Sequence, residues 1–331
     1  MKKYLPVLVF ILFVFPSCMM GQNKNEILQN DKIAPQERTA ISALNKQVFK
    51  AISENNYDNL SKLMTDTMKL DVSNDFVKKF IPQIQGVIKG RNYRIFDEYY
   101  FKTIKPSDTI KIASGKGDNA YTMDFITKYK ETYMSMLISG DSLDEVMLTV
   151  IYIKINGKWK MDYLSGEDYS LNRRNAIEQY NYAQRLQKEG SLIDAVNVIA
   201  LSEHCNNPGG KAFKYKKAKE IKDFSDSLTA ETKAKYTFPY TVNELATKPS
   251  VFSIHYEMMN HNFAMMFYYQ SVINVMDTIS LKKENQELQK KIGTIFQGVD
   301  KNNKVILYRA YNEKPNGQNN PAYYGYIQKM E

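Results

Sequence analysis

Three histidines and two cysteines are all that this 331-residue chain offers for imidazole, thiol or soft-metal chemistry. One of each is adjacent, in Glu203-His204-Cys205-Asn206. A thiolate beside an imidazole is a nucleophile pair. Neighbouring side chains on a helix, however, point about 100° apart, so the two could meet only where the helix has ended, and Asn207-Pro208-Gly209-Gly210 predicts such an end. No residue can be named to orient the imidazole or to hold an oxyanion, so a half-buried helix cap is the expected role. The second cluster runs from Met258 to Met266, with Met258, His261 and Met265 as the thioether and imidazole donors that monovalent copper takes. The same methionines stand among Phe263, Phe267, Tyr268 and Tyr269, where Met fills an irregular core, and core packing is the expectation. The chain has no dense Cys/His spacing, P-loop, Gly-x-Ser-x-Gly or zincin helix. No catalytic residue, cofactor or metal centre is therefore assigned.

The elements around these residues begin with an address. Lys2 and Lys3 precede an apolar run from Tyr4 to Phe15, and Ser17 stands directly before Cys18. That is the pattern of an export signal, shorter than the roughly 20 apolar residues of a membrane span. Phe15-Pro16-Ser17-Cys18 resembles a bacterial lipobox, whose cysteine is acylated and becomes the new N-terminus. The resemblance implies a signal over residues 1–17 and a lipid anchor on Cys18. The membrane is then reached through that lipid, with residues 18–33 as a polar tether. Met19-Met20-Gly21-Gln22 lacks an aspartate that would retain the protein at an inner membrane, which favours the outer one. With Cys18 acylated, Cys205 is left alone and the fold contains no intramolecular disulfide. Net charge is +9, and loss of residues 1–17 removes two lysines and no acid, leaving +7. That balance suits anionic surfaces or acidic partners. No recognition motif points to nucleic acid.

Residues 34–165 read as helices followed by strands. Ile41, Leu44, Val48 and Ile52 recur at helical spacing, a corner falls at Glu54-Asn55-Asn56, and Tyr57, Leu60 and Met64 form a second short helix. Phe76–Ile88 is a third apolar stretch, expected to be helical as far as Pro82. Ile110–Ala113, Tyr121–Tyr129 and Val146–Ile155 are expected strands, and Asn156-Gly157 is a two-residue type I′ hairpin turn. Beyond the turn Trp159, Met161 and Tyr163 should share a buried face, with Lys158, Lys160 and Asp162 opposite. Helices first, then a curved antiparallel sheet ending in Gly157-Lys158-Trp159-Lys160-Met161-Asp162-Tyr163, resembles the nuclear transport factor 2-like or cystatin-like cone. The resemblance implies a helix inside a curled sheet, and in some members an enzyme of the isomerase or dehydratase kind or a ligand carrier. Asp124, Tyr133 and Tyr152 would line such an interior. Asp124 and Asp162 lie opposite their strands' bulky apolar residues, however, which predicts solvated acids.

Residues 166–230 return to helical periodicity. Tyr180, Ala183, Leu186, Gly190, Ala195, Ile199 and Pro208 resemble the positions of a tetratricopeptide repeat, which implies a helical hairpin turning at Gly190. Lys211, Lys214, Lys216, Lys217, Lys219 and Lys222 crowd the start of a third helix. They are either a patch for anionic lipid headgroups or, as the intact apolar stripe opposite favours, a solvated face. Residues 231–331 read as a separate α+β domain. The fold class is therefore α+β, with a cone, a helical-hairpin connector and a C-terminal domain. The expected function is a non-catalytic, lipid-anchored module that binds another envelope protein or an envelope polymer. Ligand binding or catalysis inside the cone is the alternative.

Overall fold

In the computed structural model, which describes residues 25–71, 74–105, 108–115, 117–141, 143–259 and 262–330, the fold is α+β. Residues 1–24, including Cys18, and His261 lie outside the described residues. Helix α1 (Pro35–Ser53) starts with Pro35 in its first turn and buries Ile41, Asn45, Val48, Phe49 and Ile52. The corner falls where expected, with Asn55 at φ 52° and the Asn56 side chain accepting from Asn59 N at 3.0 Å to cap α2 (Tyr57–Leu63). After α3 (Asp66–Asp71), α4 (Asn74–Ile88) runs straight through Pro82 rather than ending there. Pro82 costs one backbone hydrogen bond, but it faces solvent while Ile81, Ile84 and Ile88 bury at helical spacing, and that burial carries the helix past it.

The curled sheet has six antiparallel strands in the order β1-β2-β5-β6-β7-β8. They are β1 (Glu26–Gln29), β2 (Tyr93–Lys102), β5 (Glu131–Gly140), β6 (Glu145–Ile155), β7 (Lys158–Leu171) and β8 (Arg174–Asn175). Strand β5 escapes the periodicity reading because the sheet is covered on both of its faces there, and in β2 the same holds only from Glu98 to Phe101. In β5, Tyr133, Ser135, Leu137 and Ser139 face one layer and Thr132, Met134, Met136 and Ile138 the other, so every one of them is buried and no polar alternation remains. The concave face packs Tyr100, Tyr133, Leu148, Tyr152 and Met161 against α1, α2 and α4.

The expected strands β3 (Asp108–Ser114) and β4 (Tyr121–Thr127) do not join the cone. With β9 (Phe213–Tyr215), a strand too short to show a period, they form a separate three-stranded sheet laid over the convex face. The Asn156-Gly157 turn is present, both residues at positive φ. A bulge follows it. Tyr152 pairs with Met161 and Ile151 with Tyr163, leaving Asp162 unpaired. Trp159 and Met161 therefore face the helices, whereas Tyr163 turns to the convex side and is 42% exposed.

Helices α5 (Ala176–Lys188) and α6 (Leu192–His204) form the hairpin, with Gly190 at φ 78° in the corner. Helix α7 (Ala218–Lys235) follows, burying Ile221 and Leu228. Of the crowded lysines, Lys217 pairs with Asp118, Lys219 with Asp223, and Lys222 with Asp226, the pattern of a solvated face. The C-terminal sheet runs β10-β11-β12-β13-β14 over Tyr240–Thr241, Ser250–Met259, Asn262–Gln270, Val305–Tyr311 and Tyr323–Lys329. Its one parallel pair, β12 with β13, is bridged by α8 (Thr278–Ile295) and the short α9 (Val299–Asn302). Asp194 of α6 ties the hairpin to this unit. It is fully buried and accepts from Asn302 Nδ2 at 3.0 Å and Asn303 Nδ2 at 2.7 Å, and burial pushes its carboxyl up against the pull of those amides.

The sheet hands over to the hairpin through a capping box. The Asn175 side chain accepts from Ile177 N and Glu178 N at 3.0 Å, and Glu178 returns by accepting from Asn175 N at 2.8 Å. Asn175→Ala is expected to cost about 1 kcal/mol of stability, within the usual range for a lost N-cap, measured as a lower urea midpoint at unchanged slope.

Candidate functional site

The two N-terminal sheets are clasped at one end by Asp97, on the bulged part of β2. Its Oδ1 accepts from Gln29 Nε2 at 3.0 Å and Asn30 Nδ2 at 2.7 Å; its Oδ2 accepts from Ser114 Oγ at 3.3 Å and the Tyr121 hydroxyl at 2.5 Å. Tyr99 and Tyr121 hydroxyls join the network 2.8 Å apart. Burial and the Asp97 carboxylate push the Tyr121 phenol well above its ordinary range, so it stays a proton donor. This clasp fixes the start of β4 on the larger sheet.

Toward the far end of β4 the two layers form the sides of a cavity of about 720 Å³ that is partly open to solvent. Met123, Phe125 and Thr127 of β4 stand above it, and Thr132, Met134, Thr149, Ile151, Ile153 and Ser165 of the convex face form its floor. A loop over Gly209–Ala212 closes one side. Gly210 is at φ 82°, and a Cβ there would meet Ser165 Oγ and the Tyr163 hydroxyl at 3.2 Å, so the backbone approaches the wall as only glycine allows. Lys128, Lys211, Asp162 and Glu167 also reach the lining. Lys128, Lys211 and Glu167 are exposed, and Asp162 accepts from Thr65 Oγ1 at 2.7 Å.

The interior is otherwise hydrocarbon, thioether and hydroxyl. Four of those hydroxyls, on Thr127, Thr132, Thr149 and Ser165, are buried and have no hydrogen-bond partner. A buried hydroxyl left unpaired costs about 1–3 kcal/mol, and native structures keep such groups few. Four stand on residues that line this one cavity, from four different strands, while the other buried partnerless groups among the described residues are scattered through the fold.

The residues singled out in the sequence fall elsewhere. Asp124 lies on the exposed side of β4, in the smaller sheet and outside the cone. Tyr133 and Tyr152 are inside the cone but fully buried by α1: the Tyr152 hydroxyl donates to Asn45 Oδ1 at 2.8 Å, and Asn45 Nδ2 donates to Ser135 Oγ at 3.0 Å. Glu98, buried on the same face beside Arg38 at 3.8 Å, has its carboxyl pushed up by burial, and the helix occupies the space before it. Met265 is fully buried in the core with Phe267 and Tyr269, whereas Met258 is 51% exposed at the end of β11. Among the described residues no three His, Cys, Asp or Glu side chains stand together as a metal site. His204 and Cys205 part at the helix end as the geometry of adjacent residues requires. Cys205 is buried and its thiol is pushed up by desolvation, and His204 turns outward to Asp168 Oδ2 at 2.7 Å.

The cavity hydroxyls carried no sequence signal. Threonine is an ordinary strand residue, and only the packing of a second sheet shows which threonines lack partners. No family model and no curated protein matches the chain.

Two measurements test these assignments. Thr149→Val keeps the branched shape and removes a partnerless hydroxyl, so ligand-free protein is expected to gain about 1 kcal/mol in denaturant unfolding; a loss of that size would show the hydroxyl to be bonded. The hydrogen bond to Asp168 raises the His204 pKa above its ordinary 6.5. The pair therefore stabilises fully below that value and fades as pH rises through the raised one, by a small amount because the imidazole is 60% exposed. In an NMR titration, Asp168→Asn should return His204 toward 6.5.

Proposed function

We propose that this chain is an exported, non-catalytic binding protein, held on an envelope membrane by lipid on Cys18, that takes a small and largely apolar ligand into the cavity between its N-terminal sheets. The observation that carries the reading is the set of four buried, partnerless hydroxyls on the wall of that cavity. A volume of about 720 Å³ lies within the roughly 300–1,000 Å³ of ordinary small-molecule sites. The ligand site implied here is on the opposite side of the six-stranded sheet from the cone interior. No helix among the described residues is long and apolar enough to cross a membrane, which accords with anchoring by lipid.

A second reading, docking of another envelope protein or an envelope polymer, is favoured by one surface. On the side of the C-terminal sheet turned away from α8, the Arg309 guanidinium lies 5.1 Å from the Tyr268 ring centre and 4.9 Å from that of Tyr323. Glu257 stands 3.7 Å from Arg309, and Phe252 and Tyr311 flank Tyr268. Rigid aromatics around an arginine are the composition of interface anchors. In-cell crosslinking of the full-length protein would map such a partner to this face.

The primary reading predicts that protein purified without added ligand and then denatured in solvent releases a small apolar molecule in near-equal amount. Mass spectrometry of the same preparation is expected to find acylated Cys18 at the N-terminus. Empty extracts together with no thermal shift across a panel of apolar compounds would remove the ligand reading, and a free N-terminus at another residue would remove the anchor.

A further inference from the structure

The strand register orders the cavity wall more finely than its composition does. On the convex face, Thr132 stands opposite Ile153; two residues on, Met134 stands opposite Ile151, which faces Tyr163; two further, Met136 stands opposite Thr149, which faces Ser165. Hydroxyls thus mark both ends of the floor, Thr132 beside Ile153 at one and Thr149 beside Ser165 at the other, with Met134 and Ile151 between them. Thr127 ends β4 and Thr132 lies at the start of β5, and the short link between those strands brings both to the same end. Thr149 and Ser165, direct neighbours across β6 and β7, form the other. The span from Thr132 to the row of Thr149 is four strand residues, or about 13 Å. Met123 and Phe125 roof the apolar middle.

The buried partnerless groups at each end are hydroxyls, which donate and accept equally well to neutral groups. The lysines that reach the lining are exposed, so a charge carried to either end would be buried without a countercharge, at high cost. We propose that the ligand is a neutral molecule with a hydrogen-bonding group, such as a hydroxyl or amide, at each end of an apolar body that spans the roughly 13 Å between the two hydroxyl pairs. This rests on the ligand-binding reading above and specifies the chemistry of the occupant.

The test compares decane-1,10-diol, decan-1-ol and decanedioate by titration calorimetry on the full-length protein in lipid nanodiscs, with empty nanodiscs as the blank. Decan-1-ol is the more hydrophobic alcohol, so a merely greasy cavity ranks it above the diol. The inference predicts the reverse order, with the diol at least several-fold tighter and the dianion weakest. Thr132→Val should lower diol affinity about five-fold, the scale of one net hydrogen bond, and Thr149→Val together with Ser165→Ala should do so from the other end. Both variants remove partnerless hydroxyls, so unfolding midpoints at or above that of the parent will confirm that affinity and not folding has changed. Equal or tighter binding of decan-1-ol, or tight binding of decanedioate, overturns the two-ended neutral ligand and leaves the cavity as a ligand site. No heat from any of the three overturns both.

Discussion

The central strands of the six-stranded sheet are buried on both faces, and most of the molecule follows from how each face is covered. Strand β5 has a continuous buried run from Thr132 to Ser139, so it needs a layer on each side. On the concave side α1, α2 and α4 supply it with Val48, Ile52, Leu60 and Ile88, each fully buried. The convex side is covered by a smaller sheet whose third strand, β9, comes from far along the chain, beyond the helical hairpin. That return joins the N-terminal layers to the hairpin and the C-terminal sheet in a single core cluster, from Tyr99 and Met136 through Ile177 and Ile199 to Phe267 and Tyr308.

Covering a six-stranded sheet with a three-stranded one leaves area to spare, and the polar clasp decides where the mismatch goes. Asp97 gathers Gln29, Asn30, Ser114 and Tyr121 at the start of β4, where a half-buried carboxylate has four donors and is well satisfied. Aromatic stacking of Tyr121 on Phe213 at 4.5 Å closes the same region. At the other end the space between Phe125 and Ile151 stays open. Hydrocarbon and unpaired hydroxyls there reduce the stability of the empty protein. Buried side-chain atoms without partners also occur away from the cavity, on Tyr133, Asn206, Tyr236, Glu284, Asp300 and Tyr326; what sets this region apart is that four such groups stand on residues lining one space.

Compared with this cavity, the cone interior is tightly filled. Asn45 bridges Tyr152 and Ser135, and the Trp159 indole donates to Glu37 at 2.9 Å while Lys154 joins Glu37 and Glu131. These bonds hold α1 in the curl of the sheet. The same sheet therefore has one face filled by helices and one that borders the cavity, and strand parity assigns each residue to one or the other.

The α+β class, the first two helices and their corner, the Asn156-Gly157 hairpin, the helical hairpin turning at Gly190 and the strand–helix–strand order of the C-terminal unit were legible in the sequence. Each rests on local physics: apolar period, capping side chains, or residues that tolerate positive φ. Strand β5 was not, nor was the buried half of β2 from Glu98 to Phe101, because a strand buried on both faces loses the alternation that would reveal it. The bulge at Asp162 reversed the side taken by Tyr163, and no periodicity shows a bulge in advance. The choice of wall was likewise tertiary. Whether Thr132 or Tyr133 borders open space depends on what packs against each face of β5, and those layers come from residues tens of positions away in either direction. Sequence by itself determined which segments fold and with what period; only the stacking of one sheet on the other decided which hydroxyls are left without partners.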